Sequence, residues 1–240
     1  MISNFINKYK YKVPHIDYHI HTIYTDGSNT IDEILNEAMR KNLEGIAITD
    51  HVWKTSTYLN QFFGEIKTKR DSYVLKILVG IEAKIINING DIDATNEMIR
   101  KSDIVLGSLH STPTDEDYVF LDPVKCQKED LINNSFDALI NLIKSRKADV
   151  IAHPTAMLRK NGCEEFYQWQ IEEIASNAAK YDVAIEINSK YNVPSLNFIK
   201  ICFENGVSFS LGSDAHTLEE IGNIDYDYIN EILSNCRNEK

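Results

Sequence analysis

Cysteine is scarce in this 240-residue chain. Cys126, Cys163, Cys202 and Cys236 are the only four, and no two of them form a CxxC pair. That spacing argues against a disulfide framework and fits a reducing, cytoplasmic setting. Long apolar runs are also lacking. The most apolar stretch, ILVGIEAKII, is broken by Glu82 and Lys84 and is far too short and too charged to cross a bilayer. The opening residues, MISNFINKYKYK, hold no apolar segment of signal-peptide length. Positive charge is in deficit, with 25 Lys and Arg against 36 Asp and Glu, a net charge of -11. An acidic surface repels polyanions, which disfavours long nucleic acid and anionic membranes as partners. There is no glycine-rich phosphate loop, and no serine or cysteine stands in a nucleophile signature. Internal repeats and Pro/Gly/Ser-rich linkers are missing too, so residues 1–240 read as a single domain.

What is present is an alternation. Short β-rich runs (HIDYHI, GIAITD, KILVGIEA, DIVLGSLH, DVIAHP, VAIEINS and VSFSLGSD) are separated by amphipathic segments. The spacing predicts helices over 31–41, 58–70, 131–146, 164–180 and 195–205, the last begun by Pro194 and stopped by Gly206. Strands that alternate with helices imply a parallel sheet covered by helices, either open and doubly wound or closed into a barrel.

The histidines favour the barrel. Six of the seven fall at or just beyond the C-terminal ends of these runs: His19, His21, His51, His110, His153 and His216. Glu82 and Asp214 sit at the same ends. An open sheet offers one crevice that two or three strands reach, whereas a barrel lets every strand end contribute. Strand parity points His19 and His21 to one side. Small residues, Thr49, Gly80, Ser108 and Gly212, stand two positions before His51, Glu82, His110 and Asp214, as a narrow barrel beneath a bulky polar cluster requires. The expected fold is a distorted TIM-like (β/α)7 barrel. Imidazole and carboxylate together suit zinc, manganese or iron. His15 lies four residues upstream of His19, toward the opposite end of the barrel.

The segments DYHIHTIYTDGS, AITDH, GIEAK, GSLH, AHP, EIN and GSDAH, in this order, resemble the polymerase and histidinol phosphatase (PHP) family. The resemblance implies a (β/α)7 barrel with two to three divalent ions. It places His19, His21, Glu82 and Asp214 on the first ion. Glu82 bridges to a second held by His110 and His153, and Asp26, His51 and His216 hold the third. Asp26 stands where some members have histidine. Of these, His19, His21, Glu82, His110, His153, Asp214 and His216 are the expected catalytic set. Three carboxylates against three divalent ions leave a formal excess of about three positive charges, an anion trap within an acidic protein. The implied chemistry is attack of a metal-bound hydroxide on phosphorus.

Lys84, Arg159 and Lys190 leave the same face and are candidates for holding phosphate or an acidic substrate group. Asp17 shares the parity of His19 and is expected to orient a ligand imidazole. Glu186 and Asn188 share one face of the sixth strand, and Trp53 is a candidate for stacking on a substrate ring. The leading expectation is a phosphomonoesterase of histidinol-phosphatase type acting on a small phosphorylated substrate. The alternatives are a phosphodiesterase or 3′-exonuclease on short oligonucleotides or nucleoside bisphosphates, and a non-catalytic metal-stabilised scaffold.

Overall fold

The computed structural model describes residues 5–6 and 12–238. In chain order the elements are β1 (Ile16–Ile20), α1 (Ile31–Arg40), β2 (Gly45–Ile48), β3 (His51–Val52), α2 (Leu59–Arg70), β4 (Lys76–Lys84), α3 (Asn96–Lys101), β5 (Ile104–Ser108), α4 (Lys128–Ser145), β6 (Val150–Ala152), α5 (Ala156–Lys160), α6 (Gln168–Tyr181), β7 (Ala184–Asn188), α7 (Leu196–Asn205), β8 (Phe209–Gly212) and α8 (Tyr226–Asn238). All strand pairs are parallel, in the order β1-β2-β4-β5-β6-β7-β8. Both β2 and β3 pair with β4, so they are two halves of one stave interrupted at Thr49 and Asp50. The result is a seven-stave sheet nearly closed on itself, a distorted TIM-like (β/α)7 barrel. Its strands are buried on both faces, which is why they read as continuous apolar runs.

Helix boundaries follow local chemistry. Thr30 caps α1 in a capping box: its Oγ1 accepts from Glu33 N at 3.3 Å, while Glu33 Oε2 accepts from Thr30 N at 2.8 Å. The segment expected as a helix over 164–180 becomes α6 only from Gln168. Before it, Glu165 is drawn aside to accept from Ser195 N at 3.0 Å and Ser195 Oγ at 2.5 Å. The short α3 and α5 and the terminal α8 were not expected from periodicity. Among the described residues no helix is long and apolar enough to cross a membrane.

Closure depends on a seam between β1 and β8. Near the C-terminal ends, His21 N donates to Ala215 O at 2.9 Å and Ala215 N to His19 O at 3.2 Å. Lower down, Ile6 pairs with the edge of β8 at Phe209. Between these, the buried Asp17 carboxylate accepts from Ser213 N (2.9 Å), Ser213 Oγ (2.5 Å) and Gly222 N (2.8 Å). Asp17 therefore staples the seam; no imidazole nitrogen is among its partners, and the orienting role expected for it belongs to another residue. Burial pushes the Asp17 carboxyl above its ordinary value even against these donors.

Asp17→Ala leaves the backbone N–H groups of Ser213 and Gly222, a longer contact from His19 N and the Ser213 hydroxyl without this acceptor. We expect a loss of about 3 kcal/mol of stability by urea denaturation. A midpoint unchanged from the parent chain would show that the seam does not depend on this carboxylate.

Candidate metal centre

The strand ends converge on one buried carboxylate. Glu82, in β4, is 1% exposed and is the register partner of His51 in β3. Its Oε1 lies 3.1 Å from both His110 Nε2 and His153 Nε2. Its Oε2 lies 2.9 Å from His51 Nδ1, 3.5 Å from His19 Nε2 and 3.6 Å from His21 Nε2. Asp214 Oδ1 adds contacts of 3.3 Å to His21 Nε2 and 3.9 Å to His19 Nε2. Toward solvent, Asp26 Oδ2 is 3.2 Å from His216 Nε2 and 3.3 Å from His51 Nε2, while Oδ1 is 3.7 Å from His21 Nδ1. The nine residues that the resemblance assigns to ions thus come together, and they divide into overlapping clusters whose donor atoms lie within 4.8 Å of one another.

This spacing is that of a coordination shell. A tetrahedral ion with bonds of about 2.1 Å sets its donor atoms roughly 3.4 Å apart. His19 Nε2, both ring nitrogens of His21 and His153 Nδ1 are buried with no hydrogen-bond partner among the described residues. Buried nitrogens left without a partner are costly, and divalent ions seated in these clusters would satisfy them. The donor set fits the group.

Electrostatics agree. Burial lowers His19, but Glu186, Glu82 and Asp214 outweigh it and hold the imidazole well above its ordinary value. Burial likewise opposes, and Glu82 overcomes it, in raising His51 and His153. Glu82, although buried, is held well below the usual carboxylate range by His110 and His19, and Asp214 is lowered by His19 and His21. His21, in contrast, is lowered by burial. Ions seated in the clusters would compete with protons for these nitrogens.

Supporting residues fix the geometry. His19 Nδ1 donates to Glu186 Oε1 at 2.8 Å, which leaves Nε2, 3.5 Å from Glu82 Oε2 and 3.9 Å from Asp214 Oδ1, as the nitrogen that would bind an ion. Glu186 Oε2 also accepts from His153 N at 2.6 Å and Asn188 Nδ2 at 3.1 Å. Glu186 therefore has the orienting role that parity assigned to Asp17. Gly212 makes room for it, since a Cβ there would overlap Glu186 Oε1 and lie 2.7 Å from His19 Cβ. Asp50, at the break between β2 and β3, accepts from Thr22 N (2.9 Å), Thr22 Oγ1 (2.8 Å) and Thr25 Oγ1 (2.5 Å), pinning the loop that carries Asp26. His153 and Asp214 both have positive φ, 30° and 51°, a strained backbone held at the site.

Above the clusters lies a cavity of about 510 Å³. Of the three candidate substrate cations, Arg159 and Lys190 line it, whereas Lys84 does not. Lys84 Nζ sits 3.6 Å from the Phe120 ring centroid and 3.5 Å from Ser111 Oγ. Trp53 is 48% exposed and also lies outside the cavity lining. His15 is far from the clusters and stacks on Tyr226 at 4.6 Å. Sequence reasoning missed Lys160, Tyr191 and Met157 in the lining. Tyr191 packs edge-on to His153, with ring centroids 5.5 Å apart, and burial followed by the Asp214 charge pushes its phenol up to about 12. Its position beside Lys190, just past β7, was the available signal.

Comparison with known proteins agrees with this geometry. The PHP domain family matches residues 17–190. A probable phosphatase of Caldanaerobacter subterraneus subsp. tengcongensis is 35% identical, over 88% of this chain and 79% of its own length. A probable phosphatase of Acetivibrio thermocellus is 30% identical over 92% of this chain and 88% of its own. Among solved structures, a histidinol phosphate phosphatase of Lactococcus lactis, complexed with zinc, L-histidinol and phosphate, shares the fold with a TM-score of 0.69. It is 18% identical, with 92% of this chain and 93% of that one covered.

Glu186→Gln keeps the shape of the side chain but weakens the acceptor for His19 Nδ1–H. We expect metal affinity, measured by competition with a chromogenic chelator, to fall about 10- to 100-fold with an unchanged circular dichroism spectrum. Unaltered affinity would remove Glu186 from the support of the site.

Proposed function

The chain belongs to the PHP domain family and is a metal-dependent phosphoester hydrolase, and we propose that it is a phosphomonoesterase of histidinol-phosphatase type acting on a small soluble ester. The observation that carries this reading is the set of buried, unpartnered imidazole nitrogens of His19 and His21, spaced 3.3–3.9 Å from Glu82 and Asp214 oxygens beneath an open cavity. We assign His19, His21, Glu82 and Asp214 to a first divalent ion, Glu82, His110 and His153 to a second, and Asp26, His51 and His216 to a third. Zinc, manganese and iron all suit this donor set. Bound there, such ions supply Lewis acidity to phosphoryl oxygens and lower the pKa of water.

The chain's own residues do the rest. Glu186 sets the tautomer of His19. The carbonyl of Asp214 accepts from His216 Nδ1 at 2.8 Å and so directs His216 Nε2 at Asp26. Lys190 Nζ, 3.0 Å from that same carbonyl, places a positive charge where phosphoryl oxygens enter. Leu109 and Met157 line the cavity with apolar surface and limit water around the ester. A cavity of about 510 Å³ suits a small ester.

Purified protein loaded with manganese or zinc is expected to release phosphate from an aryl phosphate monoester faster than it degrades a labelled oligonucleotide. Failure with every metal, in protein shown to retain its ions, would overturn the reading. His110→Ala is expected to lower turnover by about two orders of magnitude, and unchanged turnover would exclude His110 from the site's chemistry. Asp26→Ala is expected to reduce bound metal by one equivalent in elemental analysis, leaving the two deeper ions. A full complement of metal would contradict the assignment of Asp26.

A further inference from the structure

Two basic residues close α1, and they act differently. Arg40 turns back along its own helix, where Nε and Nη2 donate to the two Glu37 oxygens at 2.7 Å and 2.6 Å. Lys41, which caps the helix, stays 3.6 Å from that carboxylate and reaches another part of the chain. Its Nζ donates to Ile221 O at 2.7 Å, Glu219 O at 2.8 Å and Leu218 O at 3.3 Å. An ammonium group has three N–H donors, and three carbonyls of one turn receive them.

That turn follows His216. Glu220, within it, accepts through Oε2 from His216 N at 2.7 Å and Thr217 N at 3.0 Å. The His216 carbonyl accepts from Ser28 N at 2.8 Å. So placed, the ring has Nδ1 on Asp214 O and Nε2 3.2 Å from Asp26 Oδ2. The turn is clamped by opposite charges, Glu220 on its amide end and Lys41 on its carbonyl end. Carbonyls that converge on one point favour a cation there, as they do at a helix C-terminus. Little else holds them. Among the described residues no backbone N–H donates to Glu219 O or Ile221 O, and Ile221 N reaches Leu218 O only at 3.3 Å.

We propose that Lys41 is a positioning residue for the site of the third ion. By holding the carbonyls of Leu218, Glu219 and Ile221 it fixes Glu220. Through Glu220 it fixes the backbone of His216, and with it the distance from His216 Nε2 to Asp26. None of these Lys41 contacts is with a donor residue, so it acts through the turn alone. The inference rests on the assignment of Asp26, His51 and His216 to an ion, and one of its two readouts needs no metal.

The parent chain, Lys41→Ala and Lys41→Gln are compared, with folding checked by circular dichroism. In metal-free protein, amide hydrogen exchange at His216 and Thr217 is expected to be about tenfold faster in Lys41→Ala than in the parent. Methylammonium chloride, which supplies the missing ammonium, is expected to slow it again, whereas sodium chloride at the same ionic strength is not. In zinc-loaded protein, the dissociation constant of the most weakly held zinc is expected to rise about tenfold in Lys41→Ala, with the deeper ions retained, and to recover with methylammonium. Lys41→Gln keeps the length but not the charge. It is expected to fall between the two and carries the test if Lys41→Ala does not fold. Unchanged exchange at both amides would overturn the inference, as would faster exchange with unchanged zinc affinity. A loss in Lys41→Ala that methylammonium does not reverse, or that sodium chloride reverses equally, would overturn it too. Asp26→Ala separates the two readings. If it loses one equivalent of metal and Lys41→Ala loses no affinity, only the role of Lys41 fails. If it keeps its full metal, the third-ion assignment fails, whatever exchange shows of the hold of Lys41 on the turn.

Discussion

Everything in this structure is arranged around one buried carboxylate. Removing a carboxylate from water costs several kcal/mol unless opposite charge or donors surround it. Glu82 has five imidazoles around it, three on one oxygen and two on the other. Those imidazoles come from β1 and the residue after it, from β3, and from the ends of β5 and β6. No flat sheet brings so many strand ends within 3.6 Å of one side chain. Curvature into a barrel is therefore the geometric condition for solvating Glu82, and small residues such as Gly80 keep the interior narrow enough. A Cβ at Gly80 would come 2.5 Å from Ile104 Cγ2 and 2.8 Å from Thr49 Cγ2.

A second ring of carboxylates holds the first in shape. Glu186 joins β1, β6 and β7 through His19, the backbone of His153 and Asn188. Asp50 ties the break between β2 and β3 to the loop that carries Asp26. Asp17 closes β1 on the segment after β8. Each accepts at least one backbone N–H, so its role is to fix chain geometry as well as charge. Because each is anchored to main chain, displacing one shifts a whole strand end, and the spacing of the donor clusters shifts with it.

The donor set was legible in the sequence because it obeys strand periodicity and chain order. Six histidines at strand ends, with Glu82 and Asp214 beside them, point to convergence without any coordinates. The barrel followed from that convergence, since composition alone left an open sheet equally available. The supporting set was less legible. Asp17 and His19 have equal parity, but parity cannot say that the seam stands between Asp17 and any imidazole, because the seam joins residues almost two hundred positions apart. The sequence puts Glu186 on one face of its strand with Asn188, while its pairing with His19 depends on β7 and β1 meeting across the barrel. Lys84 obeys the parity of Glu82 yet turns onto Phe120, a contact with a loop that has no periodic signal. Arg159 and Lys190 reach the cavity because they leave strands whose following loops fold back over it.

The charge of the whole chain and the charge of the site act on different lengths. At physiological ionic strength, exposed charges are screened over about 8 Å, so the excess of carboxylates elsewhere on the surface weighs little on a small ester already in the cavity. Inside it, Lys190, Arg159, Lys160 and the donor clusters act at contact distance, where screening is weakest. On the proposed reading, ions seated in the donor clusters would add positive charge to a lining that holds three cations and three carboxylates, and a long polyanion would also meet the protein's net negative charge. On that reading, a net charge of -11 with an ion-loaded cavity would favour a small ester over a polymer. A small anionic ester experiences mainly the cavity, while a polymer experiences the whole protein.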